Sequence, residues 1–250
     1  MRHDGREPRA LRPVNMEVGW HGTAEGSVLI RSGNTTVLCT ASVEDGVKSF
    51  LEGQGRGWVT AEYLMHPRAS GRRQARDGFN GRPLSGRTQE IARLIGRALR
   101  GAVDARVIGE RTITIDCDVL EADGGTRTAS VTGGMVALIM ALDALRRSGV
   151  IAGQPLRALV AAVSTGLVAG QPVLDLAYVE DRDAEMDMNV VATDRGEVVE
   201  IQATAEGAPV ARATLDAMTT LALDGIAVLC GIQKKVLAGA KIDVDSLRVA

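Results

Sequence analysis

Between Glu121 and Ser130 the sequence reads EADGGTRTAS. Two glycines, a hydroxyl and an arginine fall at the junction of a strand-like run (RTITIDCDVL) and a long apolar run (VTGGMVALIMALDALRR). The first N–H groups of a helix have no partner inside it and carry partial positive charge. Gly124 and Gly125 let a ligand approach the backbone, Thr126 offers a hydroxyl, and Arg127 offers a planar fork that matches phosphate oxygens. The junction is a candidate oxyanion site. The same residues would equally make a plain glycine turn with a threonine cap and a solvated arginine. No Gly-Lys-Ser/Thr follows, so this is not a Walker loop, and the dinucleotide pattern Gly-x-Gly-x-x-Gly is absent. Arg87, after Ser85-Gly86, stands near a second helix start. If the two starts converge, two guanidiniums clamp one tetrahedral anion.

A second chemical cluster is YVEDRDAEMDMNVV, with Glu180, Asp181, Asp183, Glu185 and Asp187. On a continuous strand the last four share one face, where they repel unless a cation intervenes or some stay protonated. Mg²⁺ held by one or two of them is sensible, because that ion keeps several waters and bridges to phosphate. The other reading is a solvated acidic turn. An EF-hand is excluded: counting from Asp181, the sixth position is Met186 and the twelfth Ala192. A third cluster, RASGRRQARDGFNGR, sets Arg68, Arg72, Arg73, Arg76 and Arg82 against Asp77 alone, five minus one giving +4. So much charge in an acidic chain favours a polyanion partner over a merely solvated loop, and backbone phosphates are its natural target.

These groups need a frame. GSVLIRSGNTTVLCTASV reads as a hairpin turning at Gly33-Asn34, and GWVTAEYLM as a strand. His66 to Pro83 lacks apolar periodicity and reads as a long loop. Ser85 is a plausible N-cap for a helix whose stripe is Ile91, Leu94, Ile95, Ala98 and Leu99, with Arg93, Arg97 and Arg100 on another face. In RTITIDCDVL, Ile113, Ile115, Cys117 and Val119 alternate with Thr112, Thr114, Asp116 and Asp118. A helix over about Arg127–Arg147 ends at Ser148-Gly149. Four further strands follow in LRALVAAVSTGLVAG, PVLDLAYVE, DMNVVAT and VVEIQAT, the last pair turning at Asp194-Arg195-Gly196. A closing helix carries Leu215, Met218, Ala222, Gly225, Leu229, Ile232 and Val236 as its stripe. The pattern predicts an α+β fold of two related strand-rich halves, each closed by helices. Residues 1–150 carry the basic loop and the oxyanion corner, and residues 151–250 the acidic turn and closing helix, as one compact unit.

The 250 residues suffice for a substantial core, and 45% hydrophobic with 24% charged content is ordinary. No apolar run is read as reaching the ~18 residues of a membrane span, and the charged N-terminus lacks a signal-peptide core. No membrane partner and a cytoplasmic location are therefore expected. Cys39, Cys117 and Cys230 lack metal-type spacing and read as small core residues. The net charge of −2 excludes a global attraction to nucleic acid, so any such affinity is local.

These blocks, in this order along nearly the whole chain, resemble ribonuclease PH. They run from DGR at Asp4 and GSVLIRSGNTTVLCTASVE, through GWVTAEY, PRASGRRQ, SGRTQEIARLIGRALR and DCDVLEADGGTRTAS, to EDRDAEMDMNVV. The resemblance implies the ribonuclease PH fold (ribosomal-protein-S5-domain-2-like) and a hexameric ring built as a trimer of dimers. It implies a phosphate-dependent 3′-to-5′ exoribonuclease that trims tRNA precursors and other RNA 3′ ends, with inorganic phosphate as co-substrate and nucleoside diphosphates as products. By position it assigns phosphate binding to Arg87, Gly125, Thr126 and Arg127. It assigns catalysis and Mg²⁺ coordination to Asp181 and Asp187, and RNA contact to Arg68, Arg72, Arg73 and Arg76. Glu121 stands where the family usually has Gln just before the phosphate corner, an extra acid expected to oppose an anion there. Ala177 replaces an often acidic residue, and Leu64 and His66 interrupt a familiar stretch. A silent RNA-binding ring subunit and a metal-dependent hydrolytic ribonuclease are the competing readings.

Overall fold

The computed structural model describes residues 2–79 and 81–249; Asn80, inside the arginine-rich loop, lies outside the described residues. The first sheet has strand order β1-β2-β3-β5-β4. Its strands are β1 (Val14–Val18), β2 (Gly26–Ser32), β3 (Thr35–Asp45), β4 (Trp58–Met65) and β5 (Arg111–Glu121). Pairing is antiparallel except between β4 and β5. The second sheet, order β7-β6-β8-β9, is antiparallel throughout. It contains β6 (Val160–Val168), β7 (Gln171–Leu174), β8 (Met186–Thr193) and β9 (Val198–Ala205). The helices are α1 (Gly86–Gly101), α2 (Ala105–Ile108), α3 (Thr126–Arg147), α4 (Tyr178–Asp183), α5 (Arg212–Gly239) and α6 (Val244–Leu247). This is the expected α+β arrangement of two strand-rich halves with helices.

Local chemistry builds most of it. The β2–β3 hairpin pairs Ser32 with Thr35, leaving Gly33-Asn34 as a two-residue turn with Gly33 at φ +55°. The Ser85 hydroxyl accepts from the Thr88 amide and caps α1, and Ile91, Leu94, Ile95, Ala98 and Leu99 are all buried. On β5 the four apolar alternates face the core. Cys39 and Cys117 are register partners beneath α3, and Cys230 is buried on α5. A hydrogen bond to Cys117 and burial hold the Cys39 thiol well above its ordinary pKa, and burial pushes Cys230 up to about 12. As expected, these are core residues.

The central helix α3 packs on β2, β3 and β5 of one sheet and β6 of the other. Its approach to β2 leaves no room for a side chain. A Cβ at Gly26 would lie 2.0 Å from the Ala137 carbonyl oxygen and 2.9 Å from Met140 Cβ. A backbone atom cannot yield without moving α3, so Gly26→Ala is expected to cost on the order of 3 kcal/mol. The check is a lower urea midpoint at unchanged slope.

Three expectations need correction. First, α3 and α5 are both long and apolar enough to cross a membrane by length and composition. For α3, 89% of the relevant window is buried between the sheets, and α5 packs one face on β6, β7 and β8. The apolar content of α3 fills a core, whereas only 39% of the α5 window is buried. Second, the α5 stripe drifts. Met218, Ala222, Gly225 and Leu229 are buried, but Leu215, Ile232 and Val236 are only partly so, and Gln233 and Leu237 take the later core positions. Steps averaging 3.5 residues fall behind a 3.6-residue helix by about 20° per heptad, and this helix has 28 residues. Third, the strand expected in PVLDLAYVE stops at Leu174. Asp175 adopts φ +55°, its amide donates to the Ser164 carbonyl, and the Leu176 amide donates to the Ser164 hydroxyl. The Ala177 amide then donates to Glu180 Oε2, opening α4. The carboxylates from Asp181 to Asp187 therefore do not share one strand.

Candidate functional site

The corner between β5 and α3 is locked from outside. Gly124 and Gly125 have φ +77° and +67°, and a Cβ on Gly124 would sit 2.6 Å from the Leu176 carbonyl oxygen. Glycine is thus required both by conformation and by the close pass of the chain leading to α4. Buried Arg12 donates to the Asp123 carbonyl at 2.6 Å and pairs with Asp175 at 2.7 Å. The Thr35 hydroxyl donates to the Gly124 carbonyl at 2.7 Å and accepts from the Asp123 amide at 2.9 Å. Thr126, the first residue of α3, shares a 2.9 Å hydrogen bond with buried Tyr63 of β4. Burial raises the Tyr63 phenol pKa, partly offset by that bond and by Arg87 and Arg127.

The corner opens on a cleft of about 670 Å³. Arg87, Gly125, Thr126, Arg127, Asp181 and Asp187 all line it, so the starts of α1 and α3 do converge and the acids face them. Asp181 comes from α4 and Asp187 from β8. Burial, then the neighbouring Asp187, hold the Asp181 carboxyl above its ordinary range, while Arg87 and Arg127 pull it back. Two carboxylates on one wall, with one destabilised by the other, are a donor set that fits a hard divalent cation. The other carboxylates of the acidic run go elsewhere. Glu180 receives Arg2 at 2.7 Å and Arg6 at 3.5 Å, Asp183 pairs with Arg182, and Glu185 accepts from the Gly170 amide. His3, Asp4 and Glu180 also cluster, but the guanidiniums on Glu180 already match its charge.

The loop arginines divide. Arg72 lines the cleft beside Ser70 and Gln74, whereas Arg73 and Arg76 line a separate hollow of about 540 Å³ with Phe79 and Arg82. Arg68 lines neither; its amide donates to His66 Nδ1. The loop is tied down by its single acid. Asp77 accepts from the Ser85 amide and the Thr88 hydroxyl at the start of α1, which lowers its pKa. The Ala69 carbonyl accepts from the Ala122 amide beside the corner. Glu121, the acid just before the corner, is not among the residues lining the cleft, and its carboxylate accepts from the Thr36 hydroxyl at 2.8 Å. Ala177 serves as the extended residue before α4, where its amide rather than its side chain is used.

Several site residues escaped the sequence reading. Ser164 and Asn189, register partners on β6 and β8, line the cleft, and Asn189 was recoverable because it is two residues from Asp187 on a strand. Arg12, Tyr63, Asp175, Glu90 and Gln202 had no local signal.

Comparison with known proteins accords with this fold. Among solved structures, rice (Oryza sativa) Rrp46 superposes with a TM-score of 0.76 at 18% identity, covering 94% of this chain and 100% of that one. An Archaeoglobus fulgidus exosome with RNA bound to the active site gives 0.74 at 23%, covering 92% and 91%. An archaeal exosome core gives 0.71 at 19%, covering 94% and 90%. At these identities the likeness establishes the fold. Residues 10–142 match the 3′ exoribonuclease family, domain 1, and residues 158–225 match domain 2 of the same family. With both domain patterns present in order over most of its length, the chain belongs to the ribonuclease PH-type 3′ exoribonuclease family.

Proposed function

We propose that this protein is a phosphate-dependent 3′-to-5′ exoribonuclease that trims the 3′ ends of tRNA precursors and releases nucleoside diphosphates. One observation carries the reading: Arg87 and Arg127, from two helix starts, line the same cleft as Asp181 and Asp187. The two-arginine corner favours an anionic nucleophile over neutral water, because it offers a second anion its own seat beside the acids. In the reaction, an oxygen of inorganic phosphate bonds to the terminal phosphodiester phosphorus, and the bond from that phosphorus to the preceding 3′ oxygen breaks. Arg87, Arg127 and the amides at the start of α3 hold the incoming phosphate and offset its repulsion from the RNA phosphate. Asp187 assists transfer of the phosphate's own proton to the leaving 3′ oxygen. Asp181 and Asp187 would hold Mg²⁺, which when bound would supply further positive charge to offset the repulsion between the reacting anions. Arg72 at the cleft and Arg73 and Arg76 beside it support contact with an RNA backbone. The choice of tRNA and the hexameric ring rest on the sequence resemblance, and the ring also on the likeness in fold to the archaeal exosome core.

The test is incubation with Mg²⁺ and a tRNA bearing a short 3′ extension, with and without inorganic phosphate, followed by identification of the released nucleotides. Nucleoside diphosphates appearing only with phosphate support the reading. Phosphate-independent monophosphates identify a hydrolase, and retained RNA without release identifies a silent ring subunit.

The metal assignment has its own check. A carboxyl whose folded pKa is raised costs stability once pH exceeds its unfolded value, and the cost is relieved as pH falls below that value. A cation at Asp181 and Asp187 reverses the cost. Mg²⁺ is therefore expected to raise the thermal midpoint near neutral pH and to do less as the pH falls to the ordinary carboxylate range, about 4, where Asp181 is protonated. Asp181→Asn should lose this Mg²⁺ response; an unchanged response places the metal elsewhere.

A further inference from the structure

We propose that Gln202 and Glu90 set the phosphate affinity of the cleft through Arg127: Gln202 aims the guanidinium without cancelling its charge, and Glu90 competes with the incoming anion for it. The inference rests on the reading of Arg127 as a phosphate ligand. Arg127 Nη1 donates to Gln202 Oε1 at 2.6 Å, while its approach to Glu90 is looser, 3.4 Å to Oε2. Gln202 Nε2 donates in turn to Glu90 Oε1 at 2.8 Å and Glu200 Oε1 at 3.1 Å. Glu200 is itself held by Arg97 through two hydrogen bonds of 3.0 and 2.8 Å.

Chemistry fixes the amide orientation. A guanidinium only donates and an ionised carboxylate only accepts, so the Gln202 oxygen must face Arg127 and its nitrogen the two acids. Arg127 stands on α3, Glu90 on α1, and Gln202 and Glu200 on β9, so the second sheet reaches across to aim a side chain of the first half. A neutral acceptor at 2.6 Å orients Arg127 and leaves its full charge for a ligand. A carboxylate at that distance would neutralise it. Glu90, 41% exposed, is the weak internal anion that phosphate must outbid. Gln202 is a positioning residue, since it acts only through Arg127.

The substitutions have opposite signs, which a merely structural role does not produce. Glu90→Gln keeps an acceptor for Gln202 but removes the competing charge. It is expected to lower the KM for phosphate roughly threefold, the scale of a partly exposed ion pair. Gln202→Glu keeps the acceptor for Arg127 but adds a charge, and should raise that KM by about tenfold or more, with kcat at saturating phosphate moving less. Binding of inorganic phosphate to the RNA-free protein, measured by calorimetry, should tighten and weaken in the same order. If Glu90→Gln weakens phosphate binding, or Gln202→Glu leaves it unchanged, the inference is overturned while a phosphate-dependent wild type keeps the functional reading intact. If wild-type release ignores phosphate, the functional reading fails first, and the inference falls with it.

Discussion

Arg127→Ala and Asp187→Asn are each expected to lower phosphate-dependent nucleotide release by about 10²–10³-fold, the usual loss when one preorganised charge or donor is taken from a transition state. The two should fail in different ways. Arg127 lies at the start of α3 with its guanidinium already aimed by Gln202, so its removal subtracts from phosphate in the ground state as well as in the transition state. The phosphate KM should rise and kcat should fall. Asp187→Asn is nearly isosteric and keeps an oxygen on the cleft wall, but removes the charge that faces Asp181. Its phosphate KM should change little, its kcat should collapse, and the Asp181 carboxyl should move back toward its ordinary range once its neighbour is neutral. Both variants should still bind RNA, because Arg72, Arg73 and Arg76 are untouched. Rapid-quench measurement of diphosphate release at varied phosphate separates the patterns. Release within fivefold of wild type for either variant would remove that residue from the proposed chemistry.

What could be read from the sequence follows from the range of the interactions involved. The Ser85 cap, the apolar stripe of α1, the Gly33-Asn34 hairpin turn and the alternation of β5 are written within one or two turns or strand lengths, and all four stand in the structure. The corner at Gly124–Arg127 was visible as a set of residue types, because glycines before a helix start carry their own signature. Its lock was not visible. Arg12 and Asp175 are separated by 163 positions, and Gln202 and Arg127 by 75. The acidic run shows the opposite failure, a local pattern overridden by tertiary contacts. Alternation suggested one strand carrying four acids, but the left-handed Asp175 and the Ser164 hydrogen bonds start a helix instead. Asp181 and Asp187 still meet in the cleft, from two elements rather than one. The likeness to a family supplied that pairing where periodicity could not.

Asp175→Asn is expected to cost about 4 kcal/mol of stability, the scale for breaking a buried ion pair and leaving one charge uncompensated. The Arg12 and Asp175 side chains are 4% and 5% exposed, and Asp175 Oδ2 also accepts from the Arg12 amide at 2.7 Å. Asparagine is chosen because it tolerates the left-handed backbone that Asp175 occupies, so loss of charge rather than strain is measured. The pair does more than fill the interior. Arg12 donates to the Asp123 carbonyl on the glycine corner before α3, and Asp175 begins the turn that carries Asp181. Arg2 and Arg6 add donors to the Asp175 carbonyl, so residues 2–12 strap one half of the site to the other. Replacing both partners, Arg12→Leu with Asp175→Asn, removes the stranded charge and should cost clearly less than the sum of the single changes. A denaturant series on the three variants gives the coupling directly. If the single changes simply add, the strap is not a unit. If they couple strongly, the anion corner and the acidic wall are held in register by one buried ion pair, and phosphate affinity should fall in Asp175→Asn under conditions where the protein is still folded.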